Sequence, residues 1–253
     1  MKDIKGWIFV SHSTRDLDRV RRVRDYLEAK NHEPLLFFLR CIRDTDELDS
    51  LIRREIEARS IFLLCDSPHA RASNWVRREV ELIRALPDRH CEFIDLLEPW
   101  EKQREALDRL SRHSTVFLSF SVADRAEVTK ISEELQRRDY RIFVDRTSLE
   151  AGQDGAQNIA EAIDAAVENG FFLFFASKAA VTARWVLAEL RRGLAKSAGI
   201  GFERNNFLVV WVGDKAETVA LPADAESLAA VDVRGMQPPE QAGLIHRSLC
   251  RLT

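Results

Sequence analysis

Two short stretches of the chain place a tryptophan four residues before a glutamate: SNWVRREVE (73–81), with Trp75 and Glu79, and ARWVLAELR (183–191), with Trp185 and Glu189. On a helix, residues four apart share a face, so a tryptophan packed beneath a pocket would aim its glutamate at whatever binds above. A carboxylate held this way binds sugar hydroxyls and stabilises the positive charge of an oxocarbenium-like transition state. Breaking an ordinary glycosidic bond usually takes a second carboxyl group as acid, whereas a leaving group that departs as a neutral molecule needs none. The ordinary reading stands beside this one. A tryptophan on an amphipathic helix usually belongs to a core, and a glutamate four residues on usually meets solvent and a nearby arginine. Recurrence of the pair in one topological place favours the functional reading.

The elements that would position these pairs also recur. Phe9, Ser11, Ser13 and Asp16 in FVSHSTRD return 108 residues later as Phe117, Ser119, Ser121 and Asp124 in FLSFSVAD. The helical stripe Val20, Val23, Leu27 returns as Val128, Ile131, Leu135. Ser67, Trp75 and Glu79 map onto Ser177, Trp185 and Glu189, now 110 residues on. Each copy alternates strands and amphipathic helices. Strands are expected over 7–10, 35–39, 61–65 and 91–97 in the first copy, and over 116–118, 141–144, 171–176, 207–212 and 230–233 in the second. Helices are expected over about 48–58 and 156–167, and in EKQREALDRLSRH (101–113). Strands apolar on both faces and alternating with helices imply βαβ crossovers and a parallel sheet covered on both sides. The fold class is therefore α/β: two tandem, flavodoxin-like, doubly wound domains, over 1–112 and 113–253. In such sheets ligands bind beyond the carboxyl ends of the strands, where the serine turns and the Trp–Glu helices converge. Ser11, Ser13, Ser119 and Ser121 either contact a ribose or phosphate there or cap the helices that follow. Arg43, Arg77 and Arg78 either pair with phosphates or form a solvated face.

Composition narrows the remaining classes. The chain has 253 residues, 45% hydrophobic and 31% charged, with 38 basic and 41 acidic side chains and a formal charge of -3. No overall field draws it to nucleic acid or an anionic membrane, and no partner of either kind is expected. Cys41, Cys65, Cys91 and Cys250 show no CxxC spacing, and no histidine pair falls at a zinc-ligand interval, so no metal is expected. The charged start and sparse cysteines point to a cytoplasmic protein without disulfides or a signal peptide. The most apolar run, FFLFFA (171–176), is far too short to span a bilayer and reads as a buried strand. Neither a Walker-type loop nor a dinucleotide glycine fingerprint occurs, and Gly152 and Gly155 read as turn residues.

Taken in order, the strand ends FVSHS and FLSFS, the loop FVDRTSLEAGQD and the S-x-W-x-x-x-E helix resemble Toll/interleukin-1 receptor (TIR) domains, here in tandem and of bacterial type. The resemblance covers almost the whole chain. It implies the TIR fold and an enzyme of the glycosidase class, an NAD nucleosidase or ADP-ribose cyclase that cuts the nicotinamide–ribose bond. NAD would be its substrate, with no further cofactor. Glu79 and Glu189 fall on the family's catalytic glutamate. The substrate-binding positions it implies are Ser11, Ser13, Ser73, Trp75, Ser119, Ser121, Asp145, Gly152 and Trp185. The setting it implies is bacterial anti-phage immune signalling, with self-association through TIR–TIR contacts and an activator or nucleotide-sensing effector as partner.

The copies depart from the family pattern in opposite ways. The first keeps Ser73 but has Leu39 and Arg40 where the second has Asp145; the second keeps Asp145, Leu149 and Gly152 but has Ala183 in place of the serine. A composite site is therefore expected, with Glu79 the preferred carboxylate and the second copy supplying the loop. Two other readings stay open: a non-catalytic TIR adaptor, and a hydrolase of another N-glycoside with a good leaving group.

Overall fold

Short apolar runs open each half of the chain, and their alternation feeds two cores. A computed structural model describes residues 6–36, 45–144, 163–164, 167–168, 170–199 and 206–252. The chain divides into two compact units, Met1–Ser114 and Thr115–Thr253. Both sheets are wholly parallel among the described residues.

The first unit runs β1 (Gly6–Ser11), α1 (Leu17–Ala29), β2 (His32–Leu35), α2 (Thr45–Ala58), β3 (Ile61–Asp66), α3 (Pro68–Ala72), α4 (Asn74–Ala85), β4 (His90–Asp95) and α5 (Trp100–His113). Its sheet order is β2-β1-β3-β4. Successive side chains of a strand point to opposite faces. Ile8, Val10, Ile61 and Leu63 thus join Val20, Val23, Leu27, Leu107 and Leu110 of α1 and α5 on one side. Phe9, Phe62 and Leu64 join Ile52, Ile56 and Ile83 of α2 and α4 on the other.

The second unit runs β5 (Thr115–Ser119), α6 (Arg125–Arg137), β6 (Arg141–Val144), β7 (Phe171–Ala176), α7 (Arg184–Gly199), β8 (Phe207–Trp211), β9 (Ala229–Asp232) and α8 (Pro238–Leu252), in the order β6-β5-β7-β8-β9. The FFLFFA run is central strand β7, buried along its whole length. Its odd residues pack on α6 and α8 through Val128, Ile131, Leu135, Ile245 and Leu249, and its even residues pack on α7 through Val186 and Leu190. The helix expected over 156–167 lies largely outside the described residues, although Ile163 and Val167 are buried in the second of these clusters.

The strand expected over 35–39 is corrected at its start, and residues 37–39 lie outside the described residues. It begins earlier, at His32, and runs through Pro34, which pairs with Ile8. On the edge of a sheet, proline is tolerated because one side of the strand makes no ladder. The helix ends carry a second repeat signal. Asn31 and Asp139, again 108 residues apart, follow α1 and α6 with φ of 69° and 68°. This left-handed conformation ends each helix, and asparagine and aspartate tolerate it better than other side chains bearing a Cβ. Among the described residues, no helix is long and apolar enough to cross a membrane.

Candidate active site

Each unit's first strand ends on a serine whose hydroxyl meets the glutamate of the Trp–Glu helix. Ser11 Oγ donates to Glu79 Oε2 at 2.5 Å, and Ser119 Oγ donates to Glu189 Oε2 at 2.6 Å. All four residues are buried. The helices explain why. In α4, Val76, Glu79 and Ile83 form one inward stripe at helical spacing, so Glu79 occupies a core position rather than the solvated face. Val186, Glu189, Leu190 and Leu194 do the same in α7. Burial pushes the Glu79 carboxyl up to about 7, and the donated hydroxyl of Ser11, which favours the charged form, pulls against it.

A second serine–carboxylate contact braces each serine turn. Ser67 Oγ donates to Asp16 Oδ2 at 2.5 Å while accepting from the Ala70 amide at 2.9 Å. Ser177 Oγ donates to Asp124 Oδ2 at 2.6 Å and accepts from the Ala180 amide at 3.0 Å. The turn after the first strand is thereby tied to the turn after its central neighbour. Burial raises the Asp124 carboxyl, opposed by Ser177. These four positions were visible in the sequence as landmarks of the repeat, yet nothing there assigned them a partner.

For Ser13 and Ser121 the structure shows capping: they accept from the Arg15 and Ala123 amides, each at 3.3 Å, where short 3-10 turns begin. Ser73 likewise caps α4 by accepting from the Val76 amide at 3.3 Å. Trp75 is half-buried against Phe9, Ile52, Ile56, Phe62 and Ile83, so it packs toward α2. Trp185 is 37% exposed. Next to Trp185, Val186 packs in the core that holds α7 to the sheet, whereas Val76, next to Trp75, is buried on the wall of a cavity. Leu39, Arg40, Arg43, Asp145, Leu149 and Gly152 lie outside the described residues. Arg77 donates to Asn74 on its own helix.

Beside Ser11 lies a cavity of about 510 Å³ at the carboxyl ends of β1, β3 and β4, lined among others by Asp66, Arg71, Val80, Arg84 and Phe93. Arg71 grips Asp66 with two nitrogens at 2.9 and 2.5 Å, and this pairing holds the Asp66 carboxyl below its usual range. The Arg84 guanidinium stands 5.9 Å from the centre of the Phe93 ring. A second hollow, of about 480 Å³, opens beside the first turns of α4, between Asn74, Trp75, Arg78 and Glu81.

A family model described as TIR domain matches residues 8–112 and 116–248, once over each unit. The chain belongs to the TIR domain family. No curated protein matches it. In both TIR units the glutamate of the Trp–Glu phrase sits in the same environment, at the end of the first strand, under a serine hydroxyl and out of bulk water. Chemically, the first TIR unit offers a carboxyl that exchanges its proton near neutrality, a hydroxyl donor that can be traded for another donor, and an adjacent cavity with Arg71, Arg77 and Arg84 among the acidic and basic side chains of its wall.

Proposed function

We propose that this tandem TIR protein is an NAD nucleosidase or ADP-ribose cyclase, with Glu79 as its catalytic carboxylate. What supports the reading is the Ser11–Glu79 contact beside the cavity at the strand ends. A buried carboxyl bonded to a single serine hydroxyl is poised to take a sugar hydroxyl in exchange for it. The ionised form binds ribose hydroxyls and stabilises the oxocarbenium-like charge as the pyridinium ring leaves as neutral nicotinamide, so no second carboxyl group has to donate a proton. Water or the adenine of the same molecule then attacks the ribose, giving a linear or a cyclic product. On the cavity wall Arg84 would neutralise a diphosphate, while the charge of Arg71 is already offset by Asp66. NAD is the substrate and no other cofactor takes part. Glu189, equally buried against its serine, is the second candidate carboxylate.

In this reading the enzyme acts in bacterial anti-phage signalling, self-associates through TIR–TIR contacts, and works with an activator or an effector that senses its product. The test is nicotinamide release and product mass, followed by chromatography with mass detection, from NAD incubated with concentrated wild-type protein, Glu79→Gln and Glu189→Gln. Loss of cleavage in Glu79→Gln with retention in Glu189→Gln supports the assignment. The opposite pattern moves the chemistry to Glu189, and no cleavage by concentrated, crowded wild type replaces the enzyme with an adaptor.

A further inference from the structure

Away from the serine–glutamate pairs, the first unit brings a second set of chemical groups together where β4 meets the end of α5. His90 and Glu92 are two apart on β4, so both face the same side of the sheet, and Ile94, two further on, marks that side by packing with Leu107 and Leu110 of α5. Cys91 faces the other way, toward Phe9 and Phe62. The last residue of α5, His113, closes on the pair. Its Nδ1 is 3.1 Å from His90 Nε2, and the two rings meet edge to face at 4.5 Å. One ligand atom from each of His90, Glu92 and His113 lies within 4.8 Å of the other two. Arg109, one turn before His113 on α5, holds a Glu92 oxygen at 2.8 Å.

We infer that His90, Glu92 and His113 form a site for a borderline divalent cation of the Zn2+ class, which staples the end of α5 to β4. Two imidazole nitrogens and a carboxylate oxygen are the donor set that such ions take with three protein ligands, leaving a further position for water. Ligand atoms about 2 Å from one tetrahedral ion lie roughly 3.4 Å from each other, so a nitrogen–nitrogen separation of 3.1 Å needs little movement to admit one. Arg109 supplies the outer hydrogen bond that orients a ligating carboxylate. Arg109 and Arg112 stand near the His113 imidazole. The positive charge of those arginines works against a dication, and the Glu92 carboxylate offsets part of it. Interval rules miss this constellation because the second histidine arrives through a strand-to-helix connection rather than a short local spacing.

The test is titration of chelator-stripped full-length protein with Co2+, whose visible spectrum stands in for silent Zn2+. The expected result is one equivalent bound, with visible bands of nitrogen and oxygen ligation, no thiolate-to-cobalt charge transfer, and displacement by Zn2+. His90→Asn, His113→Gln and Glu92→Gln, each checked for folding by circular dichroism, should weaken binding by at least about tenfold. Absence of uptake by wild type, thiolate charge transfer in its spectrum, or undiminished affinity in a folded histidine variant overturns the proposal. If every variant unfolds, the wild-type spectrum and stoichiometry decide alone.

Discussion

Ser11 and Glu79 stand 68 residues apart in the sequence, and the hydroxyl of the first reaches a carboxylate oxygen of the second at 2.5 Å. Ser119 and Glu189 repeat the contact in the second unit. The bond joins the end of the first strand to a helix two crossovers later, and in the first unit it makes the buried Glu79 carboxyl sensitive to Ser11.

The pH dependence of stability follows from Glu79. Its folded pKa of about 7 lies above the ordinary value of 4.5, so between those limits the folded state binds more protons than the unfolded one. The stability held by the protonated form is complete below pH 4.5 and is lost as pH rises through about 7. A shift of this size corresponds to roughly 3 kcal/mol. Glu79→Gln, which stays neutral, should unfold at higher denaturant than wild type at pH 8, with the difference shrinking toward pH 4.5. Equal midpoints at both pH values would remove the raised carboxyl.

Activity, if Glu79 works as its carboxylate, should rise with pH through about 7. Ser11→Ala removes the donor that favours the charged form and should move that limb about one pH unit or more upward. Carboxyl-carbon NMR titration of Glu79 checks the same shift without needing turnover. A limb or titration that stays in place or falls would show that Ser11 does not tune the group.

Ser67→Ala should destabilise the first unit by about 2 kcal/mol, since it deletes a helix cap and the donor to a buried Asp16 carboxylate in one step. Ser177→Ala should do the same in the second unit. Hydrogen exchange resolved by residue locates each loss, which should centre on β3 for one variant and on β7 for the other.

Gly170→Ala places a new methyl group 2.7 Å from the Thr115 carbonyl oxygen, a backbone atom that cannot swing aside. A loss of about 1–3 kcal/mol is expected. Faster exchange of the β7 amides with β3 unchanged is the signature; unaltered β7 protection would contradict the close approach.

Parallel sheets, tandem units and the strands β3, β7 and β8 were legible because unbroken apolar runs and a repeat leave few other folds. The start of β2 was missed because Pro34 stands in HEPLLFFL before the apolar run, and only the edge position in the sheet makes that proline acceptable. The glutamates were found by recurrence, yet their partners were only half seen. Ser11 and Ser119 touch them, Ser13, Ser73 and Ser121 cap, and Trp185 faces outward. Periodicity cannot separate these roles, because a serine that ends a strand and one two residues past it look alike until the turn is built.

The all-parallel pairing also sets the order in which the molecule is made. Among the described residues no strand finds its neighbour through a tight turn: β1 meets β3 at Phe9 and Phe62, and β5 meets β7 at Phe117 and Phe172. Contacts this distant form late and slowly, because the intervening chain must first be ordered. The serine–glutamate contacts need those pairings and the following helix as well, so each carboxyl stays solvated until its sheet has closed around it, and Glu79 keeps an ordinary pKa until then.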